Sequence, residues 1–194
     1  MASLPILTFD ELVLSPRLGY VFDRRWLDPF ESIVGMVWKF VRMNGIAGHT
    51  MMTQLCRHVD PYEGAVPAPQ NVDVRALARM LGVTQSNVRA GLYSAPRDSA
   101  RLKYCTRCLS RGYHGASHQH GRLLCCPAHG RPLQTLCRHC QRPSEYRLDA
   151  QLLDSPFRCR HCSRYLAWPP PSNLAHRRPM TLKERVAMIR THLA

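Results

Sequence analysis

The chain of 194 residues contains no apolar run near the ~18 to 20 residues that a membrane-spanning helix needs. Its opening, MASLPILTFDELVL, lacks the basic flank and the small-residue cleavage site of a signal peptide. Hydrophobic residues make up 45% of the chain and charged residues 21%, which argues against wholesale disorder and against a fibre. We therefore expect a globular cytoplasmic protein with no membrane partner.

Acidic residues and lysines are both scarce. There are 13 Asp and Glu against 27 Lys and Arg, which gives a formal charge of +14. Residues 101–194 hold 17 of the basic side chains and only four acidic ones. All but three of the cations are arginines, whose planar guanidinium suits phosphate oxygens and base edges. The charge predicts nucleic acid as a partner; the alternatives are a solvated basic surface or a patch for an acidic protein.

Cysteine is nearly absent from the first half, which holds only Cys56, whereas the other eight cysteines lie between positions 105 and 162. Their spacings, C-x2-C-x17-C-x2-H and C-x2-C-x18-C-x2-C, fall in the window of structural zinc sites. The predicted ligand sets are Cys105, Cys108, Cys126 and His129, then Cys137, Cys140, Cys159 and Cys162. The sequence thus predicts two structural Zn²⁺ ions per chain, each in a closed site. The alternatives are disulfide pairs or free buried cysteines.

The register of the two sites depends on Cys126. Corresponding ligands are 32, 32, 33 and 33 residues apart, which indicates one zinc knuckle duplicated. Cys126 rather than its neighbour Cys125 gives the x2 spacing to His129. We therefore expect Cys125 to be a small buried residue or a bystander, and His139 and His161 to lie inside the knuckles as non-ligands.

The segment 73–92 has the pattern of a helix-turn-helix. Apolar residues recur at helical spacing up to Gly82, and Thr84 then offers the N-cap of a second helix. Gly91 predicts that this second helix is short and ends there. In such a motif the second helix offers its first residues to the major groove. The predicted DNA-reading residues are Gln85, Ser86, Asn87 and Arg89, and Arg107 and Arg138 are predicted to contact phosphates. The alternative is two helices that merely pack together.

Other elements complete the predicted architecture. We expect helices from Ser32 to the cap at Asn44-Gly45 and over about His49 to His58, and a proline-containing connection over 61–71. A capping box of Thr181 and Glu184 predicts a last helix with Leu182, Val186, Ile189 and Leu193 on its apolar face. The predicted domains are a mainly α helix-turn-helix domain over 1–98, a tandem zinc-finger domain of zinc-ribbon-like α+β type over 99–168, and a proline spacer with an amphipathic helix over 169–194.

The order of these motifs resembles the TniQ family of transposition target-selection proteins. The resemblance covers about residues 27 to 168. In the first half it is carried by Glu31-Ser32, which opens a helix that ends at Asn44-Gly45, and by Leu77-Ala78-x3-Gly82 of the helix-turn-helix segment. In the second half the matching motifs are Tyr104-Cys105-x2-Cys108-Leu109, Cys126-Pro127-x-His129-Gly130 and Cys137-x2-Cys140. The short chain is similar to the compact TniQ proteins of CRISPR-associated transposons. The resemblance implies an adaptor that binds target DNA, or a target-bound complex such as a CRISPR effector, and recruits an AAA+ transposition ATPase.

Two other functions compete with this interpretation. A stand-alone zinc-containing transcriptional regulator would use the same helix-turn-helix, usually as a dimer on paired half-sites. A zinc hydrolase or nucleobase deaminase is disfavoured because both metal sites are predicted closed and the deaminase pairing of H-x-E with P-C-x-x-C is absent. We therefore expect no enzyme activity.

Overall fold

A computed structural model describes residues 19–92, 99–171 and 179–193 of the chain. The described residues form seven α-helices and two 3-10 helices, joined by turns. In chain order the α-helices are α1 (Ile33–Asn44), α2 (Gly48–Leu55), α3 (Val74–Leu81), α4 (Gln85–Arg89), α5 (Thr106–Ser110), α6 (Ala150–Leu153) and α7 (Leu182–Leu193), and the 3-10 helices are Arg24–Trp26 and Ala116–Gln119. The fold is mainly helical, as expected.

Helix α1 is the centre of the core and matches the predicted helix. Ser32 caps its N-terminus by accepting a hydrogen bond from the Gly35 N–H, and Gly45 ends it in the left-handed conformation at φ 61°. Every residue from Ile33 to Val41 is buried. The burial includes Lys39, whose ammonium lies 2.7 Å from a carboxylate oxygen of Glu31. Because burying an unpaired charge is costly, the Lys39 ammonium needs a partner inside the core, and that partner is Glu31, which precedes the helix.

Helix α2 packs closely on α6, and glycine makes the contact possible. A Cβ at Gly48 would lie 2.2 Å from the carbonyl oxygen of Ala150, so no other residue fits there without a backbone shift. The Gly48 N–H donates to Asp154 at 2.6 Å. The predicted end near His58 is wrong, because α2 ends at Leu55. The Leu55 carbonyl accepts a hydrogen bond from the Asp73 N–H instead of from Val59, the residue four positions on, whose N–H donates to the Cys56 carbonyl.

Helices α3 and α4 are joined by a short turn and pack on each other. Asp73 caps α3, and Gly82 ends it at φ 63°. The Thr84 hydroxyl caps α4 by accepting from the Asn87 N–H, as predicted. Helix α4 is short, as predicted, and ends at Arg89, two residues before the predicted end at Gly91. Gly91 lies against α1, where a Cβ would be 2.3 Å from the Glu31 carbonyl oxygen.

The cysteine-rich region is held by turns rather than strands. The bridges among the described residues are all isolated ones, such as Cys125 with Pro132 and Leu136 with Pro143. A proline has no N–H, so it cannot extend a ladder of backbone hydrogen bonds. The α+β, zinc-ribbon-like domain expected here would contain strands, but the part of the chain that the structure describes has only isolated β-bridges in this region.

One hydrophobic cluster crosses the predicted boundary at residue 98. It joins α1, α2 and α3 to Tyr104, Tyr146 and Phe157 of the cysteine-rich region. The indole N–H of Trp38 donates to the Leu152 carbonyl at 2.9 Å across the same boundary. The domain limits at 98 and 168 stay predictions.

Helix α7 docks on the chain itself, with a different face from the predicted one. Leu182 of the predicted apolar stripe is 78% exposed, whereas Met188 is fully buried. The helix packs on the 3-10 helix Ala116–Gln119. No helix among the described ranges combines the length and apolarity that crossing a membrane requires.

Candidate metal centres and their surroundings

The first group of metal-ligating side chains is Cys105, Cys108, Cys126 and His129, as the spacing predicts. The four ligand atoms lie within 4.8 Å of one another. The Nδ1 atom of His129 is 3.5 Å from Cys105 Sγ, 3.3 Å from Cys108 Sγ and 3.5 Å from Cys126 Sγ. The four atoms surround one point, so the group can hold a metal ion.

The second group is Cys137, Cys140, Cys159 and Cys162. The Sγ atoms of Cys137 and Cys162 are 3.7 Å apart, and the same distance separates those of Cys140 and Cys159. The four Sγ atoms of this group also lie within 4.8 Å of one another, so the group can hold a metal ion. Cys137 and Cys159 belong to the main core, which ties this centre to the helices of the first half.

Three of the four ligand pairs share one backbone geometry. The residue after the second ligand of the pair, Gly130, Gln141 or Ser163, has a φ between 56° and 61°. Its N–H donates to the carbonyl of the first ligand of that pair at 2.8 to 2.9 Å. The pair at Cys105 differs because that cysteine is the N-cap of helix α5. The backbone of the two centres therefore repeats in their second ligand pairs and differs in their first.

Contacts within each group shift the pKa values of its thiols in opposite directions. Contacts with the Cys108 and Cys126 thiols hold the pKa of Cys105 below its usual value, whereas contacts with Cys105 and Cys126 raise the pKa of Cys108. In the second group, burial would raise the pKa of Cys137, but N–H donation from Cys140 and His139 lowers it to about 7. Burial raises the pKa of Cys159 to about 12. A bound cation would favour the thiolate form of every thiol in a group.

The buried surroundings of the first group include His118, which the sequence interpretation missed. The Gly115 N–H donates to His118 Nδ1 at 3.2 Å, so the ring proton lies on Nε2. That atom is 3.6 Å from Cys126 Sγ. Burial, reinforced by the neighbouring His114, lowers the pKa of His118 to about 3 and keeps the ring neutral. Nothing in the sequence pattern marks His118, because its contact with Cys126 is tertiary.

The side chains excluded from the ligand sets lie outside both groups. Cys125 is exposed, while Cys126 is 1% exposed and belongs to the group that could hold a metal ion. Cys125 is a bystander rather than a small buried residue. The His161 ring nitrogen Nε2 contacts the Pro143 carbonyl at 2.9 Å, and His139 is exposed.

The arginines of the cysteine-rich region are largely on the surface. Eight of those between residues 101 and 164 are exposed, namely Arg101, Arg107, Arg122, Arg131, Arg138, Arg142, Arg158 and Arg164. Within the described ranges, none of the eight has a carboxylate oxygen within 4.0 Å. By contrast, the half-buried Arg111, Arg147 and Arg160 are each paired with an acidic side chain. The exposed cations therefore add to the surface field without local neutralisation.

The predicted DNA-reading residues lie together on α4. Ser86, Asn87 and Arg89 are exposed, and Gln85 is half-buried. The Arg89 guanidinium donates to the Gln85 amide oxygen at 3.1 Å, one helical turn away. Val88 faces the core and fixes the rotation of the helix.

No protein-family model matches the chain, and no curated protein matches it either. The TniQ resemblance therefore depends on the motifs quoted above.

Proposed function

We propose that this chain is a non-enzymatic DNA-binding adaptor of transposition in the cytoplasm. One part of it binds target DNA or a target-bound complex, such as a CRISPR effector, and another binds an AAA+ transposition ATPase. The observation that carries the DNA-binding part is the surface of eight exposed arginines without carboxylate partners. The TniQ motifs support the transposition part.

The proposed metal in both centres is zinc. With Zn–S bonds of about 2.3 Å, a regular tetrahedron separates two sulfurs by about 3.8 Å and a sulfur from a histidine nitrogen by about 3.6 Å. The corresponding distances here are 3.6 to 3.7 Å and 3.3 to 3.5 Å. Each set already has four protein ligands, so no position is open for a substrate or an activated water. Zinc then has a structural role, which supports a non-enzymatic function.

If α3 and α4 act as a helix-turn-helix, α4 should recognise bases only weakly. Helix α4 has five residues, so few side chains can reach base edges from it. Each base contact contributes about 1 to 3 kcal/mol of discrimination. In this proposal α4 adds a modest sequence preference, while the arginines supply most of the affinity through phosphates.

The test measures how DNA affinity depends on salt for the zinc-loaded protein. Each phosphate contact contributes about −0.9 to the slope of log K against log salt on duplex DNA. Arg107→Gln and Arg138→Gln should each make the slope shallower by about that amount, without altering sequence preference. Arg107→Lys should keep the slope because it keeps the charge.

The matched control is Arg25→Gln, since Arg25 is exposed but already paired with Asp23 at 2.8 Å. Its slope should equal that of the wild type. A flat salt dependence of the wild type would contradict the proposal and assign the basic surface to a protein partner.

A further inference from the structure

Helix α7 covers the first metal centre. Met188 is buried in one cluster with Cys105, Cys108 and Cys126, together with Met180, which precedes the helix. Two further contacts hold the helix: Arg185 pairs with Asp28 at 3.3 Å, and the rings of His192 and Phe30 lie 4.1 Å apart. A single helix of 12 residues is marginal in water, so its stability comes from these contacts.

Glu184 connects this helix to the ligand His129. Its Oε1 atom lies 3.1 Å from His129 Nε2, the ring nitrogen that faces away from the three sulfurs. Its Oε2 atom accepts from the Arg111 guanidinium at 2.7 Å and from the Thr181 N–H at 2.8 Å. The Glu184 side chain is 12% exposed, and that of His129 is 3% exposed. One shielded carboxylate therefore joins the helix cap, a guanidinium and a metal ligand.

A bound cation would balance most of the charge of this arrangement. The His129 Nδ1 atom faces the sulfurs, so a ligating ring must carry its proton on Nε2, and the carboxylate 3.1 Å away is the acceptor within reach of that proton. The two groups are at ion-pair distance but are not aligned as a hydrogen bond here, so a small rotation of the ring or of the carboxylate would complete it. Three thiolates and the Glu184 carboxylate make four negative charges, which a divalent ion and Arg111 offset in part. A carboxylate that accepts the second N–H of a ligating histidine fixes the ring and raises its basicity.

We infer that Glu184 is a positioning residue for the first metal centre, and that docking of α7 and retention of the metal stabilise each other. The inference rests on the metal occupancy proposed for the first centre and does not depend on DNA binding. Metal binding and the docking of α7 are linked equilibria. If docked α7 raises the metal affinity by some factor, bound metal raises the docking constant of α7 by the same factor. The second centre has no such contact from α7 within the described residues, so its metal should not respond.

The test follows zinc transfer from the full-length protein to a chromogenic chelator in excess. Loss of a residue that supports a metal ligand costs about 10- to 100-fold in metal affinity. In Glu184→Ala we expect one of the two zinc ions to leave about 10 to 100 times faster and the other to leave at the wild-type rate. Glu184→Gln should fall between, since an amide oxygen can still accept from His129. Lys183→Ala, on the exposed neighbour of Glu184, should match the wild type.

Two further measurements separate coupling from a general loosening of the fold. With Co²⁺ in place of zinc, the faster phase should carry the absorption of the centre that includes a histidine, rather than that of the all-cysteine centre. In zinc-loaded Glu184→Ala, hydrogen exchange should accelerate in α7 and stay unchanged in α1.

The inference is wrong if Glu184→Ala releases both ions at the wild-type rate, or both faster by the same factor. Wild-type protein that contains no zinc would instead contradict the metal assignment itself, which keeps the two failures distinct.

Discussion

The substitution Cys126→Ser, compared with Cys125→Ser, tests the metal assignment at adjacent positions. Cys126 Sγ is 3.6 Å from Cys108 Sγ and 3.5 Å from His129 Nδ1, and the residue is 1% exposed. Cys125 is exposed and belongs to neither group. The two variants make the same chemical change, so any difference between them arises from position.

The expected magnitude follows from metal binding. Structural zinc supplies about 10 to 16 kcal/mol of apparent binding free energy in finger peptides at pH 7, which equals or exceeds the usual stability of a domain. Cys126→Ser replaces a soft ligand by a poor one and should lose one zinc. Cys125→Ser should change stability by no more than about 0.5 kcal/mol, as expected for a surface site.

The two centres should also differ in how far their loss spreads. Cys126 lies in the small cluster beneath α7, whereas Cys159 lies in the main core with α1 and α2. Loss of zinc through Cys126→Ser should unfold the first knuckle and release α7 while α1 stays protected from hydrogen exchange. Cys159→Ser should lower protection throughout the core.

The assay is elemental analysis of freshly purified, reduced protein, combined with hydrogen exchange by mass spectrometry. The expected zinc content is two per chain in the wild type and in Cys125→Ser, and one in Cys126→Ser. One zinc or none in the wild type would refute the two-centre assignment. Zinc loss in Cys125→Ser but not in Cys126→Ser would refute the register.

Two predictions concern the core. Burial lowers the pKa of His114 in the folded protein to about 4, whereas the usual pKa of histidine is near 6.5. Between these two pH values unfolding lets His114 take up a proton, so the free energy of unfolding decreases as the pH falls from 6.5 towards 4. Urea unfolding should show about 1.3 kcal/mol more loss between pH 7.5 and 5.5 in the wild type than in His114→Asn; equal losses would contradict it. Gly48→Ala should cost about 1 to 3 kcal/mol despite better helix propensity, because its Cβ would overlap the Ala150 carbonyl; a stabilised variant would contradict the contact.

Local signals predicted the features that depend on short stretches of chain. The caps at Ser32, Gly45 and Thr84 lie where the sequence places them, because each depends only on neighbouring backbone. The ligand groups were also predictable, since a C-x2-C turn fixes two sulfurs locally and the spacing pairs the turns.

Features that depend on tertiary contact were not predictable. Gly91 predicted that α4 is short, but its contact with the Glu31 carbonyl, 60 residues away in the chain, has no local signal. The buried face of α7 is set by Met188 over the first centre rather than by the stripe that begins at Leu182. The capping box identified Glu184 as a helix cap, but no sequence spacing joins it to His129, 55 residues earlier.

The most direct test of the adaptor proposal is DNA binding with and without the AAA+ ATPase. A five-residue helix and a surface of arginines should give the isolated protein weak, largely nonspecific binding, because a few base contacts cannot select a unique site. Two modest interfaces on one chain combine through effective concentration, so an ATPase filament on the same DNA should retain the protein much more tightly. Footprinting under both conditions should therefore show protection at the filament end only when the ATPase is present. Protection of a defined palindrome by the protein alone at nanomolar concentration would contradict the proposal and favour a dimeric transcriptional regulator.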